Sequence, residues 1–488
     1  MELRRRPRVN VDLLSIAPEI IVTVAVVVLL MVDVQWRPGY RWWGIVAAVG
    51  LAGAVVASAQ QWAGHRGDEA ASFFRGMIVA DGFSSFAGLL IFPVTGLALL
   101  AAWPLVRSLG RRGAEFVVLV LIASTGAHLM AAAGNLVMLF IALEVFSISL
   151  YVLAGFTRDR VEADEAALKY FLLGALASAI FLYGVALVFA ATGTTSIYGI
   201  AEFLDSTIIL RPGILLAGIA LLLVGLGFKV SAAPFHVWAP DVYQGAPGGV
   251  AGFLAASAKI AGFAAAARVL TVALDARMED WVPAVAVMAA VSVVVGTLLA
   301  IAQTDLKRML AYSGVAHAGF ILTALVAGSA GVGDMWFYVA TYSVQVVAAF
   351  AVAAVVSGPQ QGPSPLADYA GLASRAPGLA ACLGLMMLAM GGIPLTAGFV
   401  GKAAVFSAAV GADHLWLVVL ALVAAVAGLF FYLRVVVLMY MQPDAAAGDR
   451  IRVPLGTRVA LGIAVAVTVL AGVVPWPLLE WLGEALPL

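Results

Sequence analysis

Apolar residues fall in long runs separated by short polar stretches. A bilayer core of about 30 Å takes about 20 residues of helix, and by that ruler the chain divides into about fourteen spanning helices. The early ones are predicted at residues 13–32, 43–59, 83–106, 116–132, 135–155 and 166–192. A long interrupted segment follows at 213–240, then spans at 249–274, 282–302, 309–326 and 335–356. A second long interrupted segment covers 379–410, and the last spans are 415–441 and 459–474. The run at 13–32 follows MELRRRPRVN, is too long for the apolar part of a signal peptide and precedes no small-residue cleavage site, so it reads as the first span.

The two interrupted segments organise this pattern. Pro234 in the first, and Gly391, Gly392 and Pro394 in the second, open the helical hydrogen-bond ladder inside the bilayer. Such a break is tolerated only where the freed backbone lines a polar cavity or packs in protein. Each broken segment is the fourth of five spans, one run covering 116–274 and the other 275–441. Five is odd, so the second copy enters the membrane upside down, and paired breaks in inverted repeats point to an ion site. The chain therefore reads as an all-α polytopic membrane protein. Three helices occupy 1–115, two inverted five-helix repeats follow, and 442–488 carry a loop and the last helix.

Composition agrees, with 64% hydrophobic and 11% charged residues over 488 positions, too little polar surface for a soluble globule. The formal net charge is zero, which argues against a nucleic-acid partner. The single cysteine, Cys382, excludes a disulfide framework within the chain and a multi-cysteine iron–sulfur site. Counted by alternate loops, Arg37, Arg41, Arg107, Arg111, Arg112, Arg158, Arg160, Lys307, Arg308, Arg375, Arg450 and Arg452 share one side. The positive-inside rule makes that side cytoplasmic and puts both termini outside, a placement that Arg4, Arg5, Arg6 and Arg8 oppose.

Lysine usage adds candidate chemistry. Of 27 basic residues only five are lysines, and Lys229, Lys259 and Lys402 lie inside spans. An ammonium at the centre of a spanning helix costs about 2.5–3.5 kcal/mol on the insertion scale, so each marks a functional site by default. Arginine stays charged, whereas a desolvated lysine can titrate near neutrality and serve a proton relay. Snorkelling or a structural ion pair suits Lys169 and Lys307, which lie near span ends. Glu144 is the only carboxylate between Glu115 and Asp159, and Lys229 is the expected cation for it. When the two pair, the lysine keeps its proton; when they part, it releases it.

GFKVSAAPFHVWAPDVYQGAP at 227–247 is similar to the hallmark of the antiporter-like subunits of respiratory complex I. The likeness extends to EVFSISLYVLAGF at 144–156, EAALKYFLLGALASAIFLYGVAL at 165–187 and AASAKIAGF at 255–263. With TDLKRMLAYSGVAHAGF at 304–320 and GGIPLTAGFVGKAAVF at 391–406, the whole resembles the N subunits of NADH-quinone oxidoreductase. The resemblance implies fourteen helices with the seventh and twelfth broken, Glu144 on the fifth, Lys229 on the seventh, Lys259 on the eighth and Lys402 on the twelfth. Val145 and Phe146 stand where that family usually carries two leucines. It also implies a bacterial plasma-membrane location and other membrane-arm subunits as partners. NADH, FMN, iron–sulfur clusters and quinone are expected on partner subunits, with no cofactor on this chain.

The remaining polar residues are secondary. His236 and His317 are candidate proton carriers or histidines satisfied by backbone, and Tyr312 and Ser313 could support a water chain. Neither histidine has a second ligand at helical spacing, so no metal is expected. Arg268 reads as snorkelling, and Glu19, Asp33 and Asp81 as interfacial. The expected function is proton translocation from the cytoplasmic side along Lys229, Lys259 and Lys402, driven by quinone reduction elsewhere. The alternatives are a subunit of a multisubunit sodium/proton antiporter and a structural spacer.

Overall fold

A computed structural model describes residues 13–36, 39–64, 71–157, 160–209, 212–358, 362–443 and 451–487. Arg4, Arg5, Arg6, Arg8, Arg37, Arg158 and Arg450, which enter the orientation argument, lie outside the described residues. The helices are α1 (Ala17–Trp36), α2 (Tyr40–Gly64), α3 (Gly82–Ser108), α4 (Gly113–Ala132), α5 (Leu136–Ala154), α6 (Val161–Thr192) and α7 (Ile197–Ser206). Next come α8 (Gly213–Lys229), α9 (Trp238–Gly245), α10 (Gly248–Arg268), α11 (Met278–Ile301), α12 (Leu306–Leu325) and α13 (Val332–Ser357). The last are α14 (Leu372–Arg375), α15 (Pro377–Gly391), α16 (Ala397–Gly411), α17 (Leu415–Met441), α18 (Leu455–Val473) and α19 (Trp476–Gly483).

Among the described residues eleven helices are long and apolar enough to cross a membrane. The 20-residue α12 and the two broken pairs, α8 with α9 and α15 with α16, complete the fourteen predicted spans. The first broken segment runs further than predicted, because its second half continues to Gly245. Four elements gave no span-length signal: the amphipathic α7, the four-residue α14, the terminal α19, and a hairpin of β1 (Ala71–Phe73) against β2 (Ile78–Ala80). The hairpin lies over the α4–α5 turn through an Ile78–Ala133 bridge.

The bundle is built around α10, in which every residue is buried. Its sequence, GGVAGFLAASAKIAGFAAAAR, is mostly glycine and alanine, and small residues let neighbouring backbones close in where lipid gives no hydrophobic drive. A Cβ on Gly249 would lie 2.9 Å from the Cα of Ala102 on α3, and one on Gly248 3.1 Å from that of Ala354 on α13. Lys259 sits near the middle of this enclosed helix.

Arg268 at the end of α10 does not snorkel, and Asp81 is not interfacial. The guanidinium donates from Nη1 to Asp81 Oδ2 at 2.8 Å and from Nη2 to Asp81 Oδ1 at 2.9 Å. Its Nε donates to Ala131 O at 2.8 Å and Nη1 also reaches Tyr198 Oη at 3.1 Å, which ties α4 and α7 to the pair. Asp81 is the N-cap of α3 in a reciprocal capping box with Ser84. Both charges are essentially fully buried, so each depends on the other. Asp81→Ala should therefore destabilise the fold by about 3–5 kcal/mol by stranding the guanidinium, whereas Asp81→Ala with Arg268→Met recovers most of that loss. The yield and denaturation midpoint of folded protein from membranes measure this, and equal values for Asp81→Ala and wild type would refute it.

Candidate functional site

The first break begins where α8 ends at Lys229, and residues 230–237 leave helical geometry, with Ser231 at φ +58°. Carbonyls released at a helix end inside an apolar bundle need donors. Here the indole of Trp238 donates to Phe228 O at 3.0 Å and Lys259 Nζ donates to Val230 O at 2.9 Å. Ser292 Oγ accepts from Ala233 N at 2.8 Å. The Lys229 ammonium stands at the negative end of the α8 dipole, a favourable place for a cation.

Lys229 is 2% exposed, and its Nζ donates to Ser147 Oγ at 2.8 Å while sitting 4.3 Å above the Phe146 ring. Phe146, the departure from the family's leucine, is thus a face for the cation. Ser147 lies one turn beyond Glu144 on α5, and Glu144 Oε1 is buried without a hydrogen-bond partner. Lys229 and Glu144 do not form an ion pair in this structure. A cavity beside Lys229 is lined by Ser147, Tyr151, Gly174, Ser178 and Phe228. Gly174 leaves the room that Tyr151 fills, since a Cβ there would lie 2.1 Å from the phenol oxygen.

The second break is built alike. Gly392 follows α15 in the left-handed region at φ +88°, which caps the helix, and Ile393 N donates back to Leu388 O. Lys402, on α16, turns back to donate from Nζ to Met390 O and Gly391 O, both at 2.9 Å. A side chain at Gly392 would meet the Lys402 stem at 3.0 Å. Pro234 and Pro394 both lie on the exposed side of their breaks.

His317 on α12 links the two breaks. Its Nδ1 contacts Tyr338 Oη at 2.8 Å and its Nε2 contacts Tyr432 Oη at 3.0 Å, while Tyr432 Oη also meets Ser313 Oγ at 2.5 Å. The imidazole lies 4.6 Å from the Tyr342 ring, whose other neighbour is Lys259 Nζ at 5.8 Å. On the other side it lies 5.9 Å from Phe320, over which Lys402 Nζ stands at 4.9 Å. The order in space is Lys259, Tyr342, His317, Phe320, Lys402. Tyr342 Oη is buried without a partner, so a polar atom is free at the Lys259 end. Sequence reading missed Tyr338, Tyr342 and Tyr432; nothing in their local motifs separates them from tyrosines at a bilayer surface.

His236 and Tyr312 flank this line. Their rings are 6.3 Å apart, and His236 is half-buried with Nδ1 unpartnered. Beside them Arg308 and Lys169 grip Asp241 of α9 at 2.6 and 2.7 Å, and Lys169 also meets Glu165 at 2.6 Å. Lys169 is an ion-paired residue, as its position near a span end suggested. Lys307 is not a snorkelling residue: it is 1% exposed and donates to Ala246 O at the end of α9 at 2.9 Å. Among the described residues no group of three or more His, Cys, Asp or Glu side chains is placed to hold a metal.

The family model for the NADH:quinone oxidoreductase/Mrp antiporter transmembrane domain matches residues 133–428, which contain all of these positions but Tyr432. NADH-quinone oxidoreductase subunit N of Trichlorobacter lovleyi is 37% identical over 483 residues, 98% of each chain. Subunit N of Saccharopolyspora erythraea is 45% identical over 366 residues, 74% of this chain and 71% of that one. A chain of respiratory complex I from Thermus thermophilus superposes with TM-score 0.78 at 35% identity, covering 95% of this chain and 98% of that one. A chain of the Mrp complex from Dietzia shares the fold at TM-score 0.81 and 22% identity, covering 97% of each. On the family domain and on relatives that span nearly its full length, this chain belongs to the family of NADH-quinone oxidoreductase N subunits.

Proposed function

We propose that this chain is a membrane-arm subunit of a bacterial NADH-quinone oxidoreductase and moves protons through its buried lysines while quinone is reduced on other subunits. The reading is carried by the line of polar groups from one break to the other, spanned between them by the Tyr342 and Phe320 rings: Lys229 at Ser147, Lys259 at Val230 O, His317 between two tyrosine hydroxyls, and Lys402 at Met390 O and Gly391 O. Residues 116–274 and 275–441 act as inverted repeats, each contributing one broken helix and its lysine. Protons are taken up from the cytoplasmic side beside His236 and Tyr312, where the half-exposed Asp241, Arg308 and Lys169 cluster meets the first break. They reach Lys229 and Lys259, cross at His317, and leave beyond Lys402.

Each step is a change of partners for an ammonium. Lys229 on Ser147 leaves Glu144 without a cation; a small side-chain movement along α5 joins the two and holds the proton on the lysine. Lys259 and Lys402 donate to carbonyls, which accept hydrogen bonds from the charged and the neutral amine alike, so losing a proton does not strip the break of its donor. The tyrosine hydroxyls on His317 both donate and accept, which lets a proton pass through the imidazole without moving a helix. Quinone reduction on partner subunits, which hold the NADH, FMN and iron–sulfur chemistry, supplies the driving force.

Lys229→Ala is expected to lower NADH-driven turnover and proton uptake in inside-out vesicles together by at least about tenfold, a barrier rise of about 1.4 kcal/mol, with the complex assembled to the wild-type level. Persistence of both would make the chain a scaffold, and a sodium-dependent pH gradient formed without NADH would instead assign an antiporter. Tyr432→Phe, which removes the hydroxyl shared by Ser313 and His317, is expected to slow uptake and turnover in parallel but less than Lys229→Ala does. Wild-type rates in that variant would take His317 off the path.

A further inference from the structure

Glu19 on α1 and His128 on α4 form a second buried ionisable pair, in helices that precede the matched family domain. His128 Nδ1 lies 2.7 Å from Glu19 Oε1, and Nε2 lies 3.1 Å from Ser84 O on α3. Glu19 is therefore not interfacial; it is 5% exposed and the histidine 2%. A carbonyl oxygen only accepts, so Nε2 must carry hydrogen. Nδ1 then either accepts from a neutral carboxyl group or, as imidazolium, donates to a carboxylate. In both cases one proton lies between Nδ1 and Oε1. Without it two sets of lone pairs would face each other at 2.7 Å with no water to separate them.

The surroundings are built for two states of that proton. Glu19 Oε2, Ser58 Oγ and Ser85 Oγ are buried and unpartnered. Gly88 makes room for Ser58 beside the imidazole, since a Cβ there would fall 2.3 Å from Ser58 Oγ and 2.9 Å from His128 Nε2. The antiparallel register of α1 on α2 is fixed by Gln61 donating to Ser15 O and by Gly53 against Ile21. Glu19 falls between those two points, opposite the turn of α2 that carries Ser58. The buried face of α2 holds no charge. On α3 the nearest charge is Asp81, held by Arg268 from α10. On α5 it is Glu144, which points away from α4 because Ala142 and Phe146 form the face packed on Gly126.

We propose that Glu19 and His128 are a single-proton-binding site that latches α1 to α4, separate from the lysine line. In this structure the latch is loaded. When the proton leaves, the carboxylate parts from the imidazole and turns to the Ser58 hydroxyl, which loosens α1. Above about pH 6.5 an unfolded chain leaves glutamate charged and histidine neutral, so the folded pair holds one proton more. Stability from the latch is then full at the lower pH and falls as pH rises through its release.

The test is heat-induced release of this subunit from the purified, assembled complex, followed by immunoblot at a series of pH values from about 6.5 upward. Wild type should show a release midpoint that falls with rising pH. Glu19→Gln, whose amide donates to Nδ1 in place of the shared proton, should hold a midpoint that this pair no longer makes pH-dependent, giving a flatter profile. Ser58→Ala, which removes a hydroxyl donor to the freed carboxylate, should move the wild-type fall to higher pH. Superimposable profiles for wild type and Glu19→Gln, or, if that variant does not assemble, for wild type and Ser58→Ala, would overturn the latch.

Discussion

Backbone carbonyls freed inside an apolar bundle must find donors, and the rest of this structure depends on how that demand is met. Breaking a spanning helix in two leaves carbonyls at the end of the first half with no helical partner and no water. Three of the five lysines answer it: Lys259 at Val230 O, Lys402 at Met390 O and Gly391 O, and Lys307 at Ala246 O, where the second half of the first broken segment ends. A lysine placed this way is structural and ionisable at once. The donor that completes the fold is also a group able to give up a proton and remain bonded through another hydrogen.

The two kinds of cation are allotted to different tasks. Arginine, which keeps its charge in a protein, makes the permanent ties. Arg268 clamps Asp81 and the end of α4, and Arg434 on α17 donates to Ile301 O and Gln303 O at the end of α11. Arg308 holds Asp241 at the half-exposed margin. The lysines at the breaks face hydroxyls, carbonyls and aromatic rings rather than carboxylates. His317 completes the division, because its two tyrosine partners fix the ring without fixing its charge.

The enclosed α10 holds this arrangement in register. It carries Lys259 near its middle and Arg268 at its end, so a single helix of small residues joins the proposed proton line to the buried ion pair beneath α7. Its glycines and alanines bring the backbones of α3 and α13 close enough that no rotation of α10 is possible without moving both.

Hydrophobic run length alone determined the number of spans and most of their boundaries, because a helix in lipid must satisfy its own backbone and little else competes with that rule. Proline and glycine inside two runs marked the breaks, and the rarity of lysine marked Lys229, Lys259 and Lys402, since each needed a reason to be there. What joins these marks was decided only by tertiary structure. Tyr338 and Tyr342 reach His317 from the next helix, α13, and Tyr432 from α17, and no local pattern sets them apart. Arg268, Asp81, Glu19 and His128 lie near span ends or alone in apolar runs, where water and burial cost the same in one dimension. Each found its partner on another helix, and only packing in three dimensions decides whether a charge at such a position faces solvent or another charge.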